Sequence, residues 1–413
     1  MIEFAPYQSN RRNDTLVPLM KTKTALNVVL AALLCGVFSC SQPQHAASQV
    51  TTAIDSLKAH YAPDRRVAVF DVTCVQQGSV VILRGEVDNP KAKEDVMSLV
   101  HRSLGGQTID SLKVLPDLEL GNNRFGIVSV SVGNVRTSPR HQAEMCTQAM
   151  MGMVVKILKK RGGWFYVQLP DKYLGWLEES AMQVTTEAGV ESWKSDTKLI
   201  VKTIFTFVRQ HPSSSSQPVS DAVAGVLMKQ LNGTGSWVAV ELPDGRKGFI
   251  ERSSVDEYAH WKKTRKLTPE NVEATAKSLI GIPYLWGGTS PKGMDCSGFA
   301  KTVFRLNGLE LARDADQQAD GGEVAESGSN FENLKKGDLL FFGRKGSADR
   351  PERISHVGIY LGKKAFIHTP GGAGVQINSF DASAPNYNEY ELRRFVRARR
   401  YIGTQPVAEV PKN

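Results

Sequence analysis

The chain has 413 residues, enough for about three or four domains of ordinary size. Hydrophobic residues make up 41% and charged residues 23%, the balance of a soluble globular protein, which excludes a wholly disordered or membrane-embedded chain. The net charge of +9 suits an anionic polymer, but no basic run is interleaved with aromatics, so nucleic acid is not the expected partner.

The first predicted element is an export signal. Lys21 and Lys23 follow Met20, and an apolar run extends from Ala25 to Phe38. That run is too short for a comfortable transmembrane helix. It ends in Val37-Phe38-Ser39-Cys40, which resembles a bacterial lipoprotein box with Cys40 as the acylated residue. The alternative is an ordinary signal peptide cut near the same place. Residues 1–19 read as an upstream extension, and residues 1–40 as a whole as a segment outside the folded protein. The expected location is the cell envelope or periplasm, with a lipid on Cys40 holding the chain to a membrane. Removal of residues 1–39 takes Cys35 with it; if Cys40 is then acylated and Cys296 must stay reduced, only Cys74 and Cys146 remain to pair. They fall in different predicted domains, so a disulfide is not the expectation.

Ser41 to Gln49 is polar and reads as a tether. Residues 50–120 read as a small α/β domain. Val67–Val72 and Val80–Gly85 have strand character, Pro90–Ser103 helical character, and Thr108–Leu115 reads as a further strand. No constellation of chemically active residues stands out in it.

An internal repeat follows. Trp164-Phe165-Tyr166-Val167-Gln168-Leu169-Pro170-Asp171 recurs as Trp237-Val238-Ala239-Val240-Glu241-Leu242-Pro243-Asp244, an offset of 73 residues. The same offset aligns Gly175-Trp176-Leu177 with Gly248-Phe249-Ile250, and Val135-Arg136 with Val208-Arg209. Two β-rich units of equal length, 125–190 and 197–257, are the simple reading. Short alternating strands separated by Gly, Asp and Pro turns predict small barrels, and the units resemble bacterial SH3-like domains. Trp164 and Trp237 are expected in the barrel cores.

Lys262–Lys266 reads as a charged linker to a last domain, 265–403. Thr268-Pro269-Glu270 opens a helix, with a capping Thr and Pro at its first position. Cys296 then lies between a glycine-rich turn, Gly287-Gly288, and a predicted helix in which Phe299, Val303 and Leu306 recur at helical spacing before Asn307-Gly308. A helix N-terminus favours a thiolate. From Arg265 onward the only histidines are His356 and His368, 12 residues apart in two strand-like runs joined by Gly362-Lys363-Lys364. One thiol and two imidazoles are the minimal parts of a nucleophile, a base and the group that orients the base. A lone cysteine is otherwise most often a buried structural residue. Zinc is the second alternative, but no close ligand pair such as CxxC or HxxxH supports it.

These segments match a family. Tyr284–Phe299, Arg313-Asp314-Ala315-Asp316-Gln317-Gln318, Lys336–Phe342, His356–Tyr360 and His368 resemble the NlpC-type cysteine peptidases, papain-like enzymes that cut bacterial cell-wall peptides. The resemblance covers about the last 150 residues, with five motifs in order. It implies an α+β, papain-like domain and the triad Cys296, His356 and His368. It is nearest the γ-D-glutamyl-L-diamino acid endopeptidases of the dipeptidyl-peptidase VI type, in which two SH3-like domains precede the catalytic one. That branch implies Asp314 as the partner of a substrate's free N-terminal amine, with Tyr284, Asp295 and Ser297 lining the site. It also implies Glu144 and Tyr173 as contributions from the first barrel. Relatives often carry Ser where this chain has Ala315. The expected substrate is a wall peptide beginning with free L-Ala, cut after γ-D-Glu. Lysine and diaminopimelate both remain open as the next residue. No cofactor or metal is expected, and the enzyme is expected to act as a monomer. Rival readings are a general wall hydrolase, an amidase or acyltransferase on the same fold, and a non-catalytic wall-binding protein.

Overall fold

The computed structural model describes residues 42–105, 107–233 and 235–404. The export segment and Cys40 lie outside these residues. The stretch expected to be a tether instead begins a helix, α1 (Gln42–Tyr61), which buries Val50 and Ile54 on the small domain that follows. That domain is a hairpin, β1 (Phe70–Gln77) and β2 (Val80–Val87), then helix α2 (Pro90–Leu104) and β3 (Gln107–Val114) parallel to β2. α2 starts where Asn89 accepts a hydrogen bond from the Lys91 N–H, with Pro90 in the first turn. Its Ala92, Val96 and Val100 recur every four residues and pack on Leu83 and Val87 of β2. Strand β1 lies three residues later than the alternation at Val67–Val72 suggested.

The repeat becomes two sheets. The first has β4 (Phe125–Val128), β5 (Val132–Arg136), β6 (Met145–Met150), β7 (Val154–Arg161), β8 (Trp164–Gln168), β9 (Leu174–Glu178) and β10 (Met182–Thr185). Helix α3 (Glu187–Ser195) leads to the second: β11 (Lys198–Val201), β12 (Phe205–Arg209), β13 (Pro218–Val223), β14 (Leu227–Gln230), β15 (Trp237–Glu241), β16 (Lys247–Glu251) and β17 (Val255–Glu257). The strand orders, β10-β4-β7-β8-β9-β5-β6 and β17-β11-β14-β15-β16-β12-β13, are the same order shifted by seven strands. Both sheets are open rather than closed barrels. The ladder narrows to one residue pair at the same place in each, Arg136 with Trp176 and Arg209 with Phe249. Trp164 is buried as expected, whereas Trp237 is only partly covered.

The charged stretch before the last domain is mostly a short helix, α4 (Tyr258–Thr264). The domain opens with α5 (Pro269–Ser278), capped by Thr268 as its sequence suggests. A two-residue ribbon, β18 (Thr289–Ser290) with β19 (Gly293–Met294), precedes α6 (Cys296–Arg305) and α7 (Ala315–Asp320). The main sheet follows: β20 (Glu323–Ala325), β21 (Leu339–Arg344), β22 (Arg353–Gly362), β23 (Ala365–His368), β24 (Gln376–Ser379), α8 (Glu389–Arg394) and β25 (Phe395–Arg400), in the order β20-β25-β21-β22-β23-β24. Alternation sorts its side chains. Leu339, Phe341, Val357, Ile359 and Ile367 meet Phe299 and Val303 of α6. Leu340, Phe342, Tyr360 and Phe366 form a second cluster. His356 and His368 belong to this second parity, and Phe342 and Phe366 pack against them.

Candidate active site

Cys296 is the first residue of α6, and Asp295 is its cap. The Asp295 carboxylate accepts from the N–H groups of Gly298 (2.7 Å) and Gly287 (2.9 Å), so one side chain ties the glycine turn to the helix start. Arg313 lies 2% exposed behind it. Its Nη2 donates to Asp295 at 2.6 Å, and its Nη1 donates to the Ser297 hydroxyl at 2.9 Å. Ser297 in turn donates to Asp295 at 3.1 Å. Asp295 and Ser297 border the cleft, but their polar atoms are spent inward, on holding the cysteine's backbone. Removing one partner would leave a buried charge unpaired, at a cost of about 3–5 kcal/mol. Arg313 was not singled out as a site residue from sequence; its motif is visible, but its contact with Asp295 spans 18 residues.

The expected depression of the thiol pKa is reversed. Burial and the charge of Asp295 push Cys296 up to about 12, against the backbone N–H groups of Val357 and Ser297, which act the other way. The resting group is therefore a thiol, which must hand its proton to a base as it attacks.

The histidines form a directional chain. Gly358 pairs with His368 across β22 and β23, which sets His356 diagonally opposite on the same face. His356 Nε2 lies 2.7 Å from His368 Nδ1, and His368 Nε2 lies 2.8 Å from Asn378 Oδ1. Asn378 is itself oriented, because its amide donates to the carbonyl of Asn386 at 3.1 Å. Its oxygen therefore faces His368, which must carry its proton on Nε2 and accept on Nδ1. His356 must then carry its proton on Nε2, leaving the Nδ1 lone pair as the basic site. Burial, with the neighbouring imidazole, holds His356 well below its usual range and, acting on His368, lowers that group to about 4. Both are neutral at rest. Asn378 carries no sequence signal, since an Asn on an edge strand is ordinary.

Glu391 of α8 approaches His356 Nε2 to 4.0 Å but pairs with Arg394 at 2.9 Å. His356, His368 and Glu391 offer ligand atoms within 4.8 Å of one another. A metal there would have to break both the imidazole chain and the Glu391–Arg394 pair, so these residues fit a proton relay better than a cation.

Cys296 and His356 line one cavity of about 870 Å³ together with Tyr284, Asp314, Glu144 and Tyr173. His368 stands behind His356. In the same cavity the Tyr173 hydroxyl donates to Asp314 Oδ2 at 2.9 Å. Burial pushes the Asp314 carboxyl up, opposed by Arg313, Tyr173 and Arg66. Glu144 accepts from the exposed indole N–H of Trp286 at 2.6 Å, joining the first sheet to the loop before Cys296. Burial pushes the Tyr284 phenol up to about 12. Cys74 and Cys146 are free thiols. A second cavity, about 520 Å³ and bordered by Tyr258, Trp261 and Arg305, has neither a thiol nor an imidazole on its walls.

Comparison with known proteins gives two family matches: the NlpC/P60 family over residues 281–397 and the bacterial dipeptidyl-peptidase SH3 domain over residues 135–182. Dipeptidyl-peptidase 6 of Lysinibacillus sphaericus is 29% identical over 270 residues, 64% of this chain and 94% of that protein. A γ-D-glutamyl-L-lysine dipeptidyl-peptidase of Bacillus cereus is 28% identical over 267 residues, 62% of this chain and 75% of that one. The crystal structure of a Bacillus cereus NlpC/P60 family protein shares the fold, with a TM-score of 0.57 at 22% identity over 67% of this chain and 99% of that chain. The chain thus carries an NlpC/P60 papain-like domain preceded by a bacterial dipeptidyl-peptidase SH3 domain.

Proposed function

We propose that the protein is a cysteine endopeptidase that hydrolyses the bond between γ-D-Glu and the diamino acid of peptidoglycan stem peptides with a free N-terminal L-Ala. The observation that carries this reading is a single cleft lined by Cys296 and His356 together with the hydrogen-bonded Asp314–Tyr173 pair. The names of the two relatives from Lysinibacillus sphaericus and Bacillus cereus, dipeptidyl-peptidases, describe release of a dipeptide, which a carboxylate in the same cleft as the thiol would measure from the amine.

In the proposed reaction the Cys296 proton passes to His356 Nδ1 as sulfur attacks the γ-carbonyl carbon. The resulting oxyanion lies at the head of α6, where the N–H of Cys296 is without an intrahelical partner. His356 then returns the proton to the leaving amine of the diamino acid, and a thioester to L-Ala-γ-D-Glu remains. Water, deprotonated by His356, breaks the thioester and frees the dipeptide and the thiol. His368 and Asn378 hold His356 in the required tautomer throughout. Asp314, with Tyr173 and Glu144 nearby, receives the ammonium, and Tyr284, Asp295 and Ser297 complete the walls. Export with acylation at Cys40, and action as a monomer on released wall peptides, belong to the same proposal.

Mass spectrometry of products from defined muropeptides tests it. L-Ala-γ-D-Glu-diamino acid should yield L-Ala-D-Glu, the N-acetylated or muramic-acid-linked peptide should react poorly, and Cys296→Ala should be inactive. Cleavage at another bond, or loss of activity with EDTA alone, would overturn the mechanism. Cys40→Ser should move the protein out of the membrane fraction, since acylation contributes about 0.8 kcal/mol per buried methylene.

A further inference from the structure

The α/β domain ahead of the first sheet lies outside both family matches, and it reaches into the cleft. Arg65 and Arg66, in the loop between α1 and β1, line the same cavity as Cys296 and Asp314. All five guanidinium donors of Arg66 are spent on three carboxylates. Nη1 meets Asp314 Oδ2 at 2.8 Å and Asp316 Oδ1 at 2.9 Å. Nη2 meets Asp316 Oδ2 and Asp64 Oδ2, each at 2.8 Å, and Nε meets Asp64 Oδ1 at 2.9 Å. Asp64 also accepts from Gln317 of α7 at 2.6 Å. The Arg66 carbonyl accepts from the N–H of Leu174, the neighbour of Tyr173, at 2.8 Å. The domain is held to the first sheet elsewhere, through the Lys159–Glu86 ion pair and the N–H of Asp117 on the Leu158 carbonyl.

We infer that this domain is the end wall of the substrate cleft, and that Arg66 is the positioning residue that closes it against peptides extended beyond their first amine. The inference rests on the proposed specificity for a free N-terminus. With its donors exhausted, Arg66 offers the substrate no hydrogen bond. It acts by fixing the Asp314 carboxylate and by filling the space beyond it. Asp64 and Asp316 more than neutralise Arg66, so an ammonium at Asp314 does not face an unbalanced cation. An acyl group on that amine would have to displace the guanidinium from three carboxylates. Only a planar fork of five donors bridges them, so lysine is not a substitute.

The test compares kcat and KM for the free tripeptide L-Ala-γ-D-Glu-L-Lys and its N-acetylated form in the full chain. Wild type should prefer the free peptide. Arg66→Ala should raise KM for the free peptide by about tenfold with kcat nearly unchanged, and should speed the acetylated peptide, so that the preference falls by about tenfold or more. Arg66→Lys should fall nearer the alanine variant than wild type, and it carries the test if Arg66→Ala does not fold. A selective wild type with unchanged preference in folded variants would overturn this inference alone. A lower KM for the free peptide in the variants would also overturn it, because Arg66 would then be a competitor for the amine subsite. A wild type that cuts both peptides equally would overturn this inference and the specificity on which it rests.

Discussion

At the turn after β8 the first sheet has Asp171-Lys172-Tyr173; at the same turn after β15 the second has Asp244-Gly245-Arg246. Both turns need a positive φ at the middle residue, 69° at Lys172 and 86° at Gly245. The scaffolds agree in finer detail. Arg136 donates to the Ala143 carbonyl at 2.7 Å and Arg209 to the Ser216 carbonyl at 2.6 Å, partners again 73 residues apart. Yet Tyr173 reaches Asp314 in the cleft, whereas Arg246 pairs with Asp244 at 2.7 Å. Glu144 meets Trp286, and the second sheet has Gln217 at the matching position. The two units share a backbone, and the first lines the cleft with side chains that the second does not match. Scaffold and site are separable within one small unit.

The largest effect should come from exchanging the residues that differ. Tyr173→Arg places a second guanidinium beside Asp314 and Arg66 and should lower kcat/KM for the free-amine peptide by about 100-fold or more. Arg246→Tyr should leave activity unchanged, losing a partly exposed ion pair of about 0.2–1 kcal/mol and the hydrogen bonds to the Val219 and Ser129 carbonyls. Equal losses in steady-state assays of the two variants would break the asymmetry.

The pH dependence of stability sharpens the division, because the two neutral buried histidines lie on the site side. The unfolded chain takes up protons below about 6.5 while His368 resists until about 4. Stability should therefore fall as pH drops from 6.5 and level off near 4, with His368 alone contributing about 3 kcal/mol. Burial pushes the Asp314 and Glu391 carboxyls up, in the opposite sense. They persist in His368→Gln, so the difference between denaturation series of that variant and wild type should report His368 together with its effect on His356.

Where the scaffolds agree, matched changes should have matched costs. A Cβ on Gly175 would lie 2.5 Å from Val135 Cγ1, and one on Gly248 would lie 2.7 Å from Val208 Cγ1 and 2.6 Å from the Arg209 carbonyl oxygen. Each glycine-to-alanine change should destabilise by about 1–3 kcal/mol in chemical denaturation. A benign change in one sheet would mean that the two are packed differently there.

The smallest effect is at the turn itself. Lys172→Gly should stabilise by about 0.5–1 kcal/mol by relieving a left-handed lysine, and Gly245→Lys should destabilise by a similar amount. Thermal melts of the two variants should shift in opposite directions.

Much of this was readable along the chain. The 73-residue offset survives as a shift of every strand start, from Phe125 and Lys198 to Met182 and Val255. The helix at Pro90, the capped start of α5 and the hairpin carrying His356 and His368 were also legible, because caps, turns and alternation are local. The small errors are local too: α1 begins inside a polar stretch that carries no apolar stripe, and α4 occupies charged residues read as a linker.

By itself the sequence determined which residues could do chemistry here, one thiol and two imidazoles on a papain-like segment, and that a β unit was duplicated before them. Tertiary structure decided how those groups are set. The thiol pKa rises because burial and the neighbouring Asp295 outweigh the backbone N–H groups beside it. The histidine tautomers follow from Asn378, and the anionic end of the cleft is completed by Arg66, 248 residues before Asp314. Desolvation and hydrogen-bond direction depend on what surrounds a group in space, and a linear spacing carries no information about partners so far apart in the chain.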